Sequence, residues 1–155
     1  MSDWSHTSWW PAHAGAVAST RHFVRECLAL HGRDGAGFTV SLVASELATN
    51  AVVHADTPFS VTLASRRGGL HLAVRDSSSD LPVRMVAGPS ATAGRGLSMV
   101  EMLSAAWGVS PEQDGGKSVW ASFAGGAQTR SRTVGAGVGE VGPDAASPAS
   151  PQVGV

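Results

Sequence analysis

Residues 41–55 read SLVASELATNAVVHA, and this stretch decides the fold. It contains no glycine or proline, is rich in leucine, alanine and valine, and is long enough for about four turns of α-helix. Side chains that recur every three to four residues share one face of such a helix. The apolar stripe that we expect to face the core consists of Val40, Val43, Leu47 and Ala51. The outward side is predicted to consist of Ser41, Ser45, Ala48, Thr49 and Val52.

A row of polar residues falls on the same side of this helix as the apolar stripe. Glu46, Asn50 and His54 follow one another at four-residue intervals. A carboxylate or an amide turned toward a core costs several kcal/mol unless a partner satisfies it. Water in a cleft, a buried polar network or a bound cation would each provide that partner. Taken alone, the helix favours a structural role in which Glu46 and Asn50 cap a neighbouring loop.

The composition argues against several classes of function. Of the 155 residues 15% are charged and the net charge is −1, so nothing in the overall charge favours binding to nucleic acid or to a membrane surface. The single cysteine, Cys27, excludes an intramolecular disulfide and any two-cysteine metal motif, and we expect it to be a buried thiol. The histidines lack the spacing of metal ligands. With no long apolar run and no leader sequence, we expect a soluble cytoplasmic protein.

Strand and helix patterns are grouped along the chain rather than alternating. Two stretches that alternate apolar and polar residues flank a Gly-rich turn, as in an antiparallel hairpin. The predicted strands are 1–10, 59–66, 70–76, 107–109 and 117–123, and the predicted helices are 12–31, 41–55 and 97–105. This order predicts an α+β fold, a two-layer sandwich with a mixed, mostly antiparallel sheet covered on one face by helices.

The chain divides into one domain and a tail. We predict a domain at 1–124 and a disordered tail at 125–155, where Gly, Ala, Ser and Pro dominate without periodicity. Residues 77–95 also lack periodicity and are too long for an ordinary connection, so they are a candidate lid or binding loop. The three tryptophans within residues 1–10 are expected to pack on the domain, with a partner subunit as the alternative.

Three short segments carry residues suited to binding anions or polar heterocycles. A helix that begins at the GRG segment 94–96 presents backbone N–H groups to an anion, although glycines before a helix are also common turn residues. Asp76 ends a strand, where it either accepts from an exocyclic amine or simply forms a turn. Lys117 and Ser118 follow two glycines, and a hairpin turn with a solvated lysine is the simpler interpretation.

Four segments stand in a characteristic order: ELATNAVVHA at 46–55, VRDSSSDLP at 74–82, GRGLSMV at 94–100 and GGKSVWASF at 115–123. Together they resemble the motifs of the GHKL, or Bergerat-fold, ATPases. They look most like the branch of bacterial anti-sigma-factor serine/threonine kinases. The resemblance covers about residues 8–124, and the first segment, of the form ExxxNAxxHA, is its most specific part.

The resemblance implies the Bergerat ATP-binding fold and roles for particular residues toward ATP and Mg²⁺. Asn50 would ligate the Mg²⁺ that bridges the ATP phosphates, and Glu46 would be the general base toward an acceptor serine hydroxyl. Asp76 would accept a hydrogen bond from the adenine amino group, and Ser118 would stand beside the adenine pocket. The phosphates would be wrapped by Gly94, Arg95, Gly96 and Leu97.

The chain departs from the family pattern after the aspartate. The family usually has glycines two and four residues after Asp76, and this chain has Ser78 and Asp80 there. Both side chains occupy places where backbone would approach the nucleotide, and Asp80 adds negative charge near a polyphosphate. This departure favours a binding module that acts by protein contact, whereas Glu46 and Asn50 favour a kinase.

The leading interpretation is a Mg-ATP-dependent kinase that phosphorylates a serine or threonine of a STAS-type anti-sigma antagonist and, in another state, sequesters a sigma factor. Such a protein would regulate transcription from the cytoplasm, and members of the family tend to form homodimers. A non-catalytic ATP-binding interaction module is the alternative. The catalytic domain of a histidine kinase ranks last, because it would need an upstream helix with a phospho-acceptor histidine and only about ten residues precede the first helix.

Overall fold

The computed structural model describes residues 2–79, 92–125 and 140–141, and for 92–96 and 140–141 the backbone alone. The strands of this part are β1 (Trp4–Trp10), β2 (Phe59–Arg66), β3 (Gly69–Asp76), β4 (Ala106–Pro111), β5 (Lys117–Phe123) and β6 (Glu140–Val141). The α-helices are α1 (Gly15–Leu30), α2 (Gly37–Thr49) and α3 (Thr92–Leu103). A 3₁₀ turn (Asp34–Ala36) precedes α2, and a π-helical segment (Asn50–Ala55) continues it.

The strands form one sheet in the order β1-β2-β3-β5-β4-β6. Neighbouring strands among β1 to β5 run antiparallel, and β6 pairs in parallel with β4 at the edge of the sheet. One rung of the sheet is made of valines, because Val61 faces Val74, Val74 faces Val119 and Val119 faces Val109. These side chains point toward the helices and join the core. The predicted α+β sandwich with a mixed, mostly antiparallel sheet is confirmed.

Helix α2 lies at the centre of the helical layer. The predicted apolar stripe is buried, with Val40, Val43, Leu47 and Ala51 each 0–1% exposed. The prediction for the opposite side was wrong: Ser41, Ser45 and Ala48 are also buried, because α1 packs across that side. The Arg25 Nε–H donates to Ser41 Oγ at 3.3 Å, and the Arg21 guanidinium donates to Ser45 Oγ at 3.2 Å.

The continuous helical stretch Asp34–Ala55 is long and apolar enough, by length and composition alone, to cross a membrane. Its 18-residue window has a mean hydropathy of 1.3, and 44% of that window is buried inside the protein. Because α1 and β3 both contact α2, the apolar side chains already have protein partners. The apolar character of the stretch is therefore explained by a central position in the core.

The position of α3 differs from the prediction. The helix begins at Thr92 rather than at the GRG segment, and it ends at Leu103 rather than at 105. The early end has a structural cause, since the Ala105 N–H donates to the Ser122 carbonyl oxygen at 2.7 Å and the chain there already runs beside β5. The hairpin of β2 and β3 and the strand β5 lie where the alternating pattern predicts them.

The tryptophans of β1 do not all pack on the domain. Trp4 and Trp10 pack against the core, as predicted, and the Trp10 ring meets the Phe23 ring edge-on at 5.6 Å between centroids. Trp9 is 63% exposed, because alternate residues of a strand point to opposite faces. Since β1 is an edge strand of the sheet, its outer side is open within the described part of the chain.

Beyond Phe123 the described residues include a short strand that the sequence pattern does not predict. Glu140–Val141 pairs in parallel with β4. Most of the tail (126–139 and 142–155) and most of the candidate lid (80–91) lie outside the described residues. The domain boundary after residue 124 and the disorder of the tail therefore stay predictions.

Candidate functional site

A buried ion pair lies at one end of β3 and β5. Asp76 and Lys117 are directly opposite each other in this antiparallel pair and so point to the same face, the one that carries Val74 and Val119 toward the helices. The Lys117 Nζ lies 3.0 Å from Asp76 Oδ1 and 3.1 Å from Oδ2. The Lys117 side chain is 9% exposed and the Asp76 side chain is 4% exposed. The interpretation of Lys117 as a solvated turn residue was wrong.

The backbone around this pair is tightly packed. The Ser78 N–H donates to Asp76 Oδ1 at 2.8 Å, which closes a turn just after β3. On the other strand, a Cβ at Gly116 would lie only 2.2 Å from the Asp76 carbonyl oxygen. A glycine is therefore required before Lys117, since only glycine lets the two strands approach so closely.

Ser118 does not face this pair. Successive residues of a strand point to opposite faces, so Ser118 lies on the side of the sheet away from the helices. Its hydroxyl donates to Glu112 Oε2 at 2.8 Å. On that same face Arg75 donates to Asp114 Oδ2 at 2.6 Å. Lys117 is thus the residue of β5 that contacts the Asp76 carboxylate, whereas Ser118, predicted beside the adenine pocket, lies on the opposite face of the sheet.

Glu46 and Asn50 lie one turn apart near the end of α2. Both side chains are partly exposed, and among the described residues neither has a hydrogen-bond partner. They are therefore accessible oxygen donors. Neither side chain caps a loop among the described residues. The structural role that the helix sequence alone favoured therefore has no support in these contacts.

The helix changes type at Asn50. From Asn50 to Ala55 the segment is π-helical, and the Asp56 N–H donates to the Ala51 carbonyl oxygen at 2.9 Å, five residues back. Asp56 then ends the helix in the left-handed conformation, with φ of 57°. The wider turn explains why His54, predicted on the core side, is exposed. Single-turn π segments within α-helices frequently occur at functional sites.

The predicted phosphate-binding residues lie near the beginning of α3. Gly94 and Arg95 fall in its first turn, where backbone N–H groups lack helical acceptors, and Gly96 lies just beyond it. The Arg95 side chain lies outside the described residues, as does Asp80. Leu97 is 0% exposed and belongs to the core, so its side chain anchors α3 rather than contacting a ligand.

The elements that carry these residues meet in the space between the two layers. The π segment and α2 both contact β3, and α2 also contacts α3. Glu46 and Asn50 thus lie on helical segments that contact β3, the strand that ends at Asp76, and α3 packs against the same helix. Glu46 and Asn50 provide accessible hard oxygen donors, and the first turn of α3 provides the anion-binding end of a helix.

A divalent cation fits the donor set on chemical grounds. No group of three or more His, Cys, Asp or Glu side chains that could hold a metal by themselves occurs in the described ranges. Mg²⁺ is commonly held by one or two protein oxygens, with substrate phosphates and water completing its octahedron. Asn50 and Glu46 suit that kind of site, and a site built wholly from protein ligands has no support here.

Cys27 is not part of this chemistry. It is a free, buried thiol of α1, as predicted from the sequence. Burial raises the pKa of the Cys27 thiol, and the neighbouring Glu26 carboxylate raises it further. A thiol of raised pKa is a poor nucleophile at neutral pH.

Fold and site together define an ATPase domain of the GHKL type. Residues 10–123 match the family model of the histidine kinase-like ATPase domain, so the chain belongs to that family. Its fold is similar to that of the RsbU and RsbW domains of Rv1364c from Mycobacterium tuberculosis, with 22% sequence identity and a TM-score of 0.61. The similarity covers 83% of this chain and 34% of that one. No curated protein matches the sequence.

Proposed function

We propose that this chain is a regulatory Mg-ATP-dependent serine/threonine kinase of the anti-sigma type. Its substrate would be a STAS-type anti-sigma antagonist, and in another state it would sequester a sigma factor and so regulate transcription in the cytoplasm. The observation that carries the proposal is the pair of accessible side chains Glu46 and Asn50 at the α-to-π transition, for which the described part of the chain supplies no hydrogen-bond partner. Membership in the histidine kinase-like ATPase family supports the nucleotide as ATP.

The chemistry follows from the positions of the two side chains. Residues one turn apart on a helix have Cβ atoms about 5–6 Å apart. If the Asn50 side chain holds the Mg²⁺ that is bound to the ATP phosphates, the γ-phosphate would therefore lie near Glu46. The oxygen of an acceptor hydroxyl would attack the γ-phosphorus while the bond to the β–γ bridging oxygen breaks and ADP leaves. Glu46 would accept the hydroxyl proton. Mg²⁺, when bound, would neutralise the charge that develops on the phosphate oxygens.

A specific observation favours a second function. The carboxylate assigned to adenine is already paired with Lys117, and Ser78 stands where the family has glycine. A protein with an impaired adenine-binding site would act as a non-catalytic interaction module, which binds its partners through surface contacts alone. Phosphate transfer separates the two functions, since the module binds a partner without modifying it.

The experiment that tests the kinase uses the intact chain with Mg-ATP labelled at the γ-phosphate. Each STAS-type protein of the source cell is purified and offered as acceptor, with EDTA in a parallel reaction. We expect label to pass to a serine or threonine of one acceptor only when Mg²⁺ is present. If an acceptor binds the chain but gains no label at any ATP concentration, the module function replaces the kinase.

Asn50→Ala tests the placement of the metal. Loss of one metal-linked oxygen should weaken Mg-ATP binding about tenfold or more, as expected for a hydrogen bond to a charged group. Titration calorimetry measures this, and the exposed residue His54, changed to alanine, is the matched control one turn further along. Unchanged affinity for Asn50→Ala would show that the metal is held elsewhere.

The outer edge of β1 is a candidate surface for the dimer that the resemblance implies. β1 is an edge strand and carries the exposed Trp9. An edge strand offers unpaired backbone N–H and C=O groups to a second copy. We propose that the protein forms a homodimer through this edge.

A further inference from the structure

The acceptor capacity of Asp76 is almost fully used within the protein. A carboxylate offers about four lone-pair sites on its two oxygens. Lys117 Nζ lies within hydrogen-bond distance of both oxygens, and the Ser78 N–H takes a further site on Oδ1. The carboxylate is also 4% exposed. An incoming amino group would find one site on Oδ2 and almost no open path to it.

Asp76 and Lys117 have no second charged bonding partner among the described residues. The neighbouring charged residues Arg75 and Asp114 pair with each other, and Arg75 lies on the opposite face by register. No other charged side chain bonds to Asp76 or Lys117 in the described part of the chain. Each group is therefore the counter-ion of the other, and separating them would leave a buried charge without a partner.

We propose that Lys117 controls nucleotide affinity: its ammonium group occupies the Asp76 carboxylate, so that adenine binds weakly unless this buried ion pair opens. The inference rests on the proposed function, because it assigns a regulator to that same nucleotide site. Lys117 does not touch the reacting phosphate. It acts at the adenine end of the site, through Asp76, which would otherwise accept a hydrogen bond from the adenine amino group.

Lys117→Thr tests this directly. Threonine keeps a hydroxyl at the position but is too short to hold the carboxylate, so the amino group of adenine gains its acceptor. Mg-ATP should bind the variant about tenfold or more tightly than the parent, the worth of one hydrogen bond to a charged group. Calorimetry gives the affinity, and circular dichroism confirms that the variant is folded.

Arg75→Thr is the matched control. It removes a cation from the neighbouring strand, one residue from Asp76 in sequence but on the other face of the sheet. Its Mg-ATP affinity should equal that of the parent. An equal gain in both variants would overturn the proposal, because the effect would then come from overall charge.

A second substitution makes the test specific to the pair. In the Lys117→Thr background, Asp76→Asn should remove the gain in affinity, because the acceptor that the adenine amino group gained is lost again. If Lys117→Thr does not fold, Lys117→Gln replaces it, since its amide still donates one hydrogen bond to Asp76. The gain with glutamine should be smaller than tenfold but above the parent.

The outcomes separate this inference from the proposed function. A parent that binds Mg-ATP as tightly as Lys117→Thr overturns the role of Lys117 and leaves the ATP-dependent function intact. A higher Mg-ATP affinity in Lys117→Thr than in the parent supports the role of Lys117, whether or not the parent transfers phosphate. If neither protein binds Mg-ATP, both the inference and the kinase are overturned.

Discussion

Replacing Glu46 with glutamine is expected to slow phosphate transfer about a hundredfold or more, the contribution typical of general-base catalysis. Glutamine keeps the size and the hydrogen-bonding reach of the side chain but cannot accept the proton of the attacking hydroxyl. Mg-ATP affinity should stay within about twofold, because Asn50 and the phosphates would hold the metal. Single-turnover transfer of γ-phosphate to the acceptor protein, with ATP saturating, measures the effect on the chemical step.

The structure offers a matched control for this substitution. Glu26 lies on α1, is exposed and pairs with the exposed His22 at 3.1 Å. Glu26→Gln removes the same charge from an exposed helix surface outside the proposed site, and should leave the transfer rate unchanged. Sequestration of a sigma factor, which depends on surface rather than on proton transfer, should survive in both variants.

Two results would contradict the role of Glu46. Transfer by Glu46→Gln at the rate of the parent would mean that another group accepts the proton. An equal loss in Glu26→Gln and Glu46→Gln would point to the overall charge of the helical layer. In either case Glu46 would not be the general base.

Much of the fold was predictable because the relevant patterns are local. The stripe of Val40, Val43, Leu47 and Ala51 identified the core-facing side of α2, and it is buried as expected. Alternation along β2 and β3 predicted these strands, since the period of two is fixed by strand geometry. The grouping of helices and strands was enough to give the α+β sandwich.

The errors arose where tertiary packing decides. Ser41, Ser45 and Ala48 are small and were predicted to face outward, but small residues also suit close helix packing, and α1 covers them. The change to a π-helix at Asn50 leaves no clear signal in composition, so the predicted row from Glu46 to His54 was extended too far.

Lys117 was missed although the sequence contained a signal for it. In the strand KSVWASF, Lys117 shares its parity with Val119 and Ala121, which are apolar core residues, whereas Ser118 shares its parity with Trp120. Strand alternation alone therefore placed Lys117 inward. The interpretation as a turn lysine gave more weight to the two preceding glycines than to this alternation. That Asp76 lies opposite it required the register of β3 against β5, which the sequence does not state.

Gly116→Ala should strongly destabilise this end of the sheet. The new Cβ would lie 2.2 Å from the Asp76 carbonyl oxygen and 3.0 Å from Ser77 Cα. Both are backbone atoms, so relief requires β3 and β5 to separate where the buried Asp76–Lys117 pair joins them. We expect the free energy of unfolding to fall by about 3 kcal/mol, from overpacking and a weakened ion pair.

The control is a glycine without such a neighbour. A Cβ at Gly37, the first residue of α2, meets no atom within 4 Å, and its φ of −57° suits any residue. Gly37→Ala should therefore raise the free energy of unfolding slightly, by about 0.5–1 kcal/mol, because alanine loses less backbone entropy. Urea unfolding followed by circular dichroism compares the two variants. Equal stability of Gly116→Ala and the parent would mean that β3 and β5 do not approach so closely, and the buried pair that depends on this approach would lose its support.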